Sequence, residues 1–302
     1  MKVVIRKKGG NRSPDKSGRR RRTSSYRRRL FLVFLGICIT AAFLGIAGNI
    51  FQRRNSIHQI STKPQTHPRK PNPVTIPETP SNLPRIAIII DDIGYDLKML
   101  DDLLAIDGAL TFSVLPGLPH TAEAARRIRE SQREVMLHLP MEPLDAQRWN
   151  PGPDALLETM NDDLIRETLV RDINSVPGAI GVNNHMGSRF TADERRMTTV
   201  LDVLRERGLF FVDSRTAPDS LGYTIARRLG IKSYSSDLFL DHVDSEEYVG
   251  RQLESLLHIA RSRGRALGIG HPHEATCRVL RAQIPRLKGQ GVILAPASMI
   301  VE

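Results

Sequence analysis

An α/β fold with a parallel sheet is the class this sequence predicts for residues 84–302, with closure into a (β/α) barrel preferred over an open doubly wound sheet. Three observations predict it. From Pro84 onward, short apolar runs alternate with longer amphipathic stretches. Runs such as IAIII (86–90) are continuously apolar, the mark of a strand covered on both faces. Some 220 residues also suit seven or eight strand–helix repeats, although pattern alone leaves closure open.

The elements follow in order. IAIII (86–90) is followed by a helical pattern over 96–105, and LTFSVL (110–115) by one over 121–131. EVMLHL (134–139) leads through a long loop carrying Trp149 to a helix over 161–175. AIGVNNH (179–185) precedes a helix over 191–207, whose Thr191-x-x-Glu194 reads as a capping box and whose stop is Gly208. LFFVD (209–213) precedes 221–229, and the weaker run IKSYSS (231–236) precedes 245–263, ended by Gly264. ALGIGH (266–271), a helix over 274–288 and VILAPA (292–297) complete the set; no internal repeat is visible.

The region in front is different. The chain's net charge is +11, but residues 1–29 alone contribute +12, from 13 Lys and Arg against Asp15, so the other 273 residues sum to −1. The basicity belongs to a tail, which argues against nucleic acid as a partner of the fold. Residues 30–51 are 22 in number and carry no charge, enough to span a bilayer core. Arg27–Arg29 on the near flank predict a cytoplasmic N-terminus by the positive-inside rule. The expectation is an uncleaved single-pass anchor in the inner membrane, with the following domain in the periplasm or outside. The competing reading, a cleaved signal peptide, fits the length less well. Residues 52–83 hold prolines at 64, 68, 71, 73, 77 and 80 and no apolar period, a semi-rigid linker. Of the two cysteines, Cys38 falls in the anchor and Cys277 stands alone beyond it, so no internal disulfide or cysteine-based metal site is expected there.

In parallel α/β folds chemistry gathers at the carboxyl ends of strands. Those ends carry Asp91-Asp92, His138, His185, Asp213, and His271 with His273. Four of the seven histidines in 84–302 fall there, while His120, His242 and His258 fall in loops or on a helix. Adjacent carboxylates are tolerable where one binds a cation. Two imidazoles and a carboxylate with an open position suit catalytic zinc. Asp92, His138 and His185 are the candidate ligands, Asp91 the candidate base and His271 the candidate acid. Asn184 and its neighbour Asn183 could present amides to a sugar, or simply form the turn. Asp213 could orient a ligand from behind, and Trp149 could stack on a sugar ring or pin its loop.

The stretches IIIDDIG, LHLPMEP, GVNNHMGSRFT, VDS and GIGHPH, in this order, resemble the polysaccharide deacetylases of carbohydrate esterase family four. They are most similar to the divergent branch of bacterial envelope proteins within it. The resemblance covers about residues 84–302. It implies a deformed α/β barrel with a divalent metal, usually zinc, that removes N- or O-acetyl groups from sugars. By position it carries over Asp91 as base, Asp92 and His138 as ligands, and His271 as acid. Three departures stand out: Ile93 intervenes before Gly94, Glu142 replaces the second histidine of the family's second motif, and NNHMGSR stands where the family's third motif has Arg and Pro-Tyr. Either His185 supplies the missing imidazole or Glu142 binds the metal itself.

Two functions of different class follow. One is a metal-dependent deacetylase of an envelope or exported polysaccharide. The other is a membrane-tethered glycan- or protein-binding scaffold of the same fold that has lost turnover. Retention of both Asp91 and His271 favours the enzyme. Metal phosphatase chemistry lacks its Asp-x-Asp spacing, and adjacent aspartates do not meet the fixed carboxylate separation of a glycoside hydrolase.

Overall fold

The run IAIII lies at the heart of strand β1 (Arg85–Ile93) in a computed structural model that describes residues 83–302. The basic tail, the uncharged segment 30–51 and the linker up to residue 82 lie outside the described residues. Among the described residues no helix is long and apolar enough to cross a membrane.

The other strands are β2 (Thr111–Val114), β3 (Glu134–Met141), β4 (Gly181–Met186), β5 (Phe210–Asp213), β6 (Ser233–Ser235), β7 (Leu238–Phe239), β8 (Arg265–Gly270) and β9 (Ile293–Leu294). Their order is β6-β5-β4-β3-β2-β1-β8-β7, with every pairing parallel. β9 pairs with the first two residues of β1. The two edges, β6 and β7, do not pair with each other. The chain crosses the seam at Ser236, whose N–H donates to Asp213 O on β5, and Asp237, whose N–H donates to Leu267 O on β8. The result is a curled, incompletely closed (β/α) barrel, the deformed form the resemblance implies. β7 was not expected, since two residues are too few to show a period.

Helices α1 (Lys98–Leu104), α2 (Thr121–Glu130), α3 (Asp162–Ser175), α4 (Glu194–Glu206), α5 (Gly222–Arg228), α6 (Glu246–Arg263) and α7 (Glu274–Leu287) connect the strands. Side-chain alternation on β1 explains its unbroken apolar run. Ile86, Ile88 and Ile90 face the helices, while Ala87 and Ile89 face the barrel interior, and all five are fully buried. The interior cluster adds Met136, Phe210, Val212, Leu267 and Ile269. The segment 297–301 closes the interior from below: Ala297, Ile300 and Val301 join that cluster, while Met299 stays exposed. Ala297 N donates to Thr111 Oγ1 (3.0 Å) and Ser298 N to Glu134 Oε2 (3.1 Å), which satisfies polar groups that would otherwise be stranded.

Helix ends follow local chemistry. Asn161 caps α3 by accepting from Leu164 N, Ser245 caps α6 by accepting from Tyr248 N, and Gly264 ends α6 at φ +81°. The start of α4 corrects the sequence reading. Asp193, not Thr191, is the cap, accepting from Arg196 N (2.8 Å). Thr191 is buried and spends its hydroxyl on Gly187 O (2.8 Å), closing the turn after β4.

Candidate metal centre and active site

Strict alternation would send Asp91 and Asp92 to opposite faces of β1. A bulge prevents this. Ile90 pairs with Phe112 and Ile93 with Val114, so three steps on β1 oppose two on β2. Asp92 sits in this bulge at φ +57°, a left-handed conformation that costs a non-glycine residue roughly 1–2 kcal/mol. The gain is that both carboxylates face the mouth of the barrel. The repulsion between them is met by the imidazoles opposite.

Three donor atoms converge there. Asp92 Oδ1 lies 3.0 Å from His185 Nδ1 and 3.2 Å from His138 Nε2, and those nitrogens are 3.1 Å apart. Asp92 Oδ1 is buried, yet no N–H is aligned on it as a hydrogen bond. His185 Nδ1 and His138 Nε2 are within hydrogen-bond reach of each other, and their convergence with a buried carboxylate oxygen that has no aligned donor is an arrangement that suits a cation. Two donors about 2.0–2.1 Å from a tetrahedral ion lie about 3.3 Å apart, close to these spacings. The donor set of Asp92, His138 and His185 therefore fits a divalent metal. Burial works against ionised Asp92, but the two imidazoles hold its carboxyl well below the usual range.

Asp91 stands beside this triangle, buried, with Oδ2 3.5 Å from His138 Nε2. Burial pushes its carboxyl up, and the pull of His138, His271 and Asn183 only partly offsets that. For His138 burial opposes the charged ring, but the Asp91 and Asp92 carboxylates outweigh it and raise its basicity. His271 faces the triangle from the end of β8, with Nε2 4.0 Å from Asp92 Oδ2. Its Nδ1 pairs with Asp241 Oδ1 at 2.9 Å. Asp241 Oδ2 also accepts from His271 N (2.6 Å) and Thr276 Oγ1 (2.7 Å), so the carboxylate is fixed from three directions. Burial opposes protonation of His271, but Asp241 and the paired aspartates raise its pKa to about 9. The Phe239 ring stacks parallel to the imidazole at 6.2 Å.

These groups line a cleft of about 480 Å³ at the carboxyl ends of the strands. Trp149, half exposed, stands at its rim with the Arg148 guanidinium 5.1 Å from the indole centroid.

Other expected residues fall elsewhere. Glu142 does not reach the metal cluster. Positions 138 and 142 share a face only while the strand lasts, and β3 ends at Met141. Glu142 then turns into the loop, accepting from Glu158 N (2.6 Å) and facing Arg189 Nε (3.4 Å). Asp213 orients no histidine; it accepts from Arg215 N, Ser220 Oγ and Tyr223 N and so shapes the turn after β5. Asn184 lines the cleft, but its amide is taken up by Ser214 N and Met186 O. His273 is half exposed, stacks on His271 at 5.7 Å and has Nδ1 3.6 Å from Asp241 Oδ2. Sequence reasoning missed Asp241, although LFLD (238–241) ends an apolar run on an acid just as IIIDD does.

Comparison with known proteins adds the family. The model of the divergent polysaccharide deacetylases matches residues 88–301. The uncharacterised protein YibQ of Escherichia coli (strain K12) is 34% identical over 218 residues, 72% of this chain and 68% of its own length. An uncharacterised Haemophilus influenzae protein is 36% identical over 205 residues, covering 67% of this chain and 72% of its own. The crystal structure of an uncharacterised protein from Agrobacterium tumefaciens C58 superposes with a TM-score of 0.71 at 24% identity, over 74% of this chain and 92% of that one, and so shares the fold. A match across the whole barrel, with the paired aspartates and facing histidines in one cleft, makes the chain a member of the divergent polysaccharide deacetylase family.

Proposed function

We propose that the chain is a metal-dependent deacetylase of an envelope or exported polysaccharide, with Asp92, His138 and His185 holding zinc. The observation that carries this reading is the placement of a buried carboxylate and an aspartate-bound imidazole around one converging donor triangle. A divalent cation bound there supplies Lewis acidity, polarising an acetyl carbonyl and acidifying a water. Asp91, made more basic by burial, takes the water's proton as its oxygen attacks the acetyl carbon. The bond from that carbon to the sugar nitrogen or oxygen then breaks. His271 delivers its proton from Nε2 to the leaving atom while Asp241 holds Nδ1, and acetate departs. The uncharged segment 30–51 would tether this chemistry to the inner membrane, with the barrel on the far side.

The test is acetate release from N-acetylated and O-acetylated glycan oligomers by the full-length chain supplied with zinc. Asp92→Ala, His138→Ala and His185→Ala should lose zinc and activity together. His271→Ala should keep zinc and lose roughly 10²–10⁴-fold in rate. A parent protein that takes up no divalent cation and releases no acetate would overturn the reading and leave the tethered scaffold.

A further inference from the structure

Asn183 is fully buried on β4, directly across from His138 in the parallel register. One atom of its carboxamide lies 2.9 and 3.1 Å from the two oxygens of Asp91 and 3.1 Å from Ser214 Oγ. The other lies 2.5 Å from Ser113 Oγ and 3.0 Å from His138 Nδ1. A carboxylate only accepts, so the atom facing Asp91 is the NH₂. The amide oxygen then faces Ser113 and His138. It cannot donate, so the hydrogen between it and the ring belongs to Nδ1. Nε2, the nitrogen aimed at Asp92 and His185, is left with its lone pair.

We propose that Asn183 is a positioning residue that couples the two halves of the site. Its carbonyl fixes His138 in the tautomer able to bind a cation, and its amino group holds Asp91 as a base beside it. The inference rests on the deacetylase reading for the role of Asp91, and the tautomer follows from an ionised Asp91 by donor–acceptor logic. The competing arrangement is a flipped amide donating to Nδ1 while a protonated Asp91 donates to the amide oxygen. It would leave Nε2–H, which cannot bind a metal.

The experiment uses the full-length chain labelled with ¹⁵N-histidine, studied metal-free on the alkaline side of the imidazole titration and again with zinc. His138 should show a protonated Nδ1 and a bare Nε2 in the parent. Asn183→Ala should relax toward the Nε2–H form and weaken zinc by roughly 10–100-fold. Asn183→Asp keeps an acceptor for Nδ1 but places a second carboxylate against Asp91. It should retain zinc within a few-fold while kcat falls more than about tenfold at unchanged KM, a split that general loosening would not produce. If Asn183→Ala does not fold, Asn183→Asp still carries the test. Nε2–H in the parent, or folded variants with zinc affinity and kcat within about twofold of it, would overturn the proposal. A parent with the expected tautomer and zinc affinity but no acetate release from any glycan would instead sink the deacetylase reading and leave the tautomer role standing.

Discussion

Asp241 does its work one step removed from the cleft. A cation on His271 is favoured because the Asp241 carboxylate faces its Nδ1. The acid form of His271 should therefore persist up to about pH 9, and kcat/KM should fall above that. Asp241→Asn removes the anion, so the alkaline limb should move down toward the ordinary imidazole value of about 6.5; a pH–rate profile reads this directly. Asp172 on α3 carries the opposite kind of strain. It is buried, its Oδ2 has no hydrogen-bond partner, and Arg171 Nε comes no nearer than 3.9 Å. Burial, helped by Asp154, raises its pKa to about 7. The folded state thus holds this proton more tightly than the unfolded chain, so stability falls as pH rises from about 4 to about 7 and stays low beyond. Asp172→Asn should stabilise the protein at pH 8, by at most about 4 kcal/mol, and give no gain below pH 4; denaturant melts at both pH values check it.

At the scale of elements, what could be read from the sequence depended on burial. β1, β3 and β8 are covered on both faces and therefore appear as continuous apolar runs. β7 is two residues long and hid behind the seam, and with it Asp241. His138, His185 and His271 could be placed because strand ends point one way in a parallel fold. The bulge that turns Asp92 inward leaves a single trace in the sequence, Ile93 ahead of Gly94, and that trace does not say which way the carboxylate points. Glu142 stays open as an alternative to His185 in the sequence because spacing says nothing about where a strand stops. Asn183 was weighed no more heavily than Asn184, and only the register opposite His138 separates them. The sequence sets the cap of α4 two residues early for a related reason: Thr191 and Asp193 are both good caps, and tertiary packing buries the first. Asp193→Ala should cost about 1 kcal/mol, and Thr191→Ser, which keeps the hydroxyl, should cost less; thermal melts separate the two roles.

Across the whole molecule, the long loop after β3 brings Trp149 to the cleft rim, and the loop is stitched to the turn after β4. Leu144 N donates to Ser188 Oγ (2.9 Å), and Arg189 donates to Leu144 O (2.7 Å). Trp149→Ala should raise KM for a glycan oligomer by about tenfold, a loss of some 1.4 kcal/mol in binding, at nearly unchanged kcat and melting temperature. The proposed tether makes a separate prediction: the full-length chain should stay in the membrane fraction through a carbonate wash, and recovery as a soluble species lacking residues 1–50 would show cleavage instead. The seating of Ala297, Ile300 and Val301 in the barrel interior carries a further consequence, for how the protein is made. β1 takes β8 along one side and β9 beside its first residues, strands that leave the ribosome some 200 residues after it. Until they arrive, a growing chain presents an unpaired apolar edge and a barrel with no floor. A chain stopped at Ala295 has β8 and β9 but no floor, and after detergent extraction it should sediment as aggregate while the full chain stays dispersed. Closure of this domain should thus wait until residues 297–301 have been made, with its early strands needing shelter in the interval.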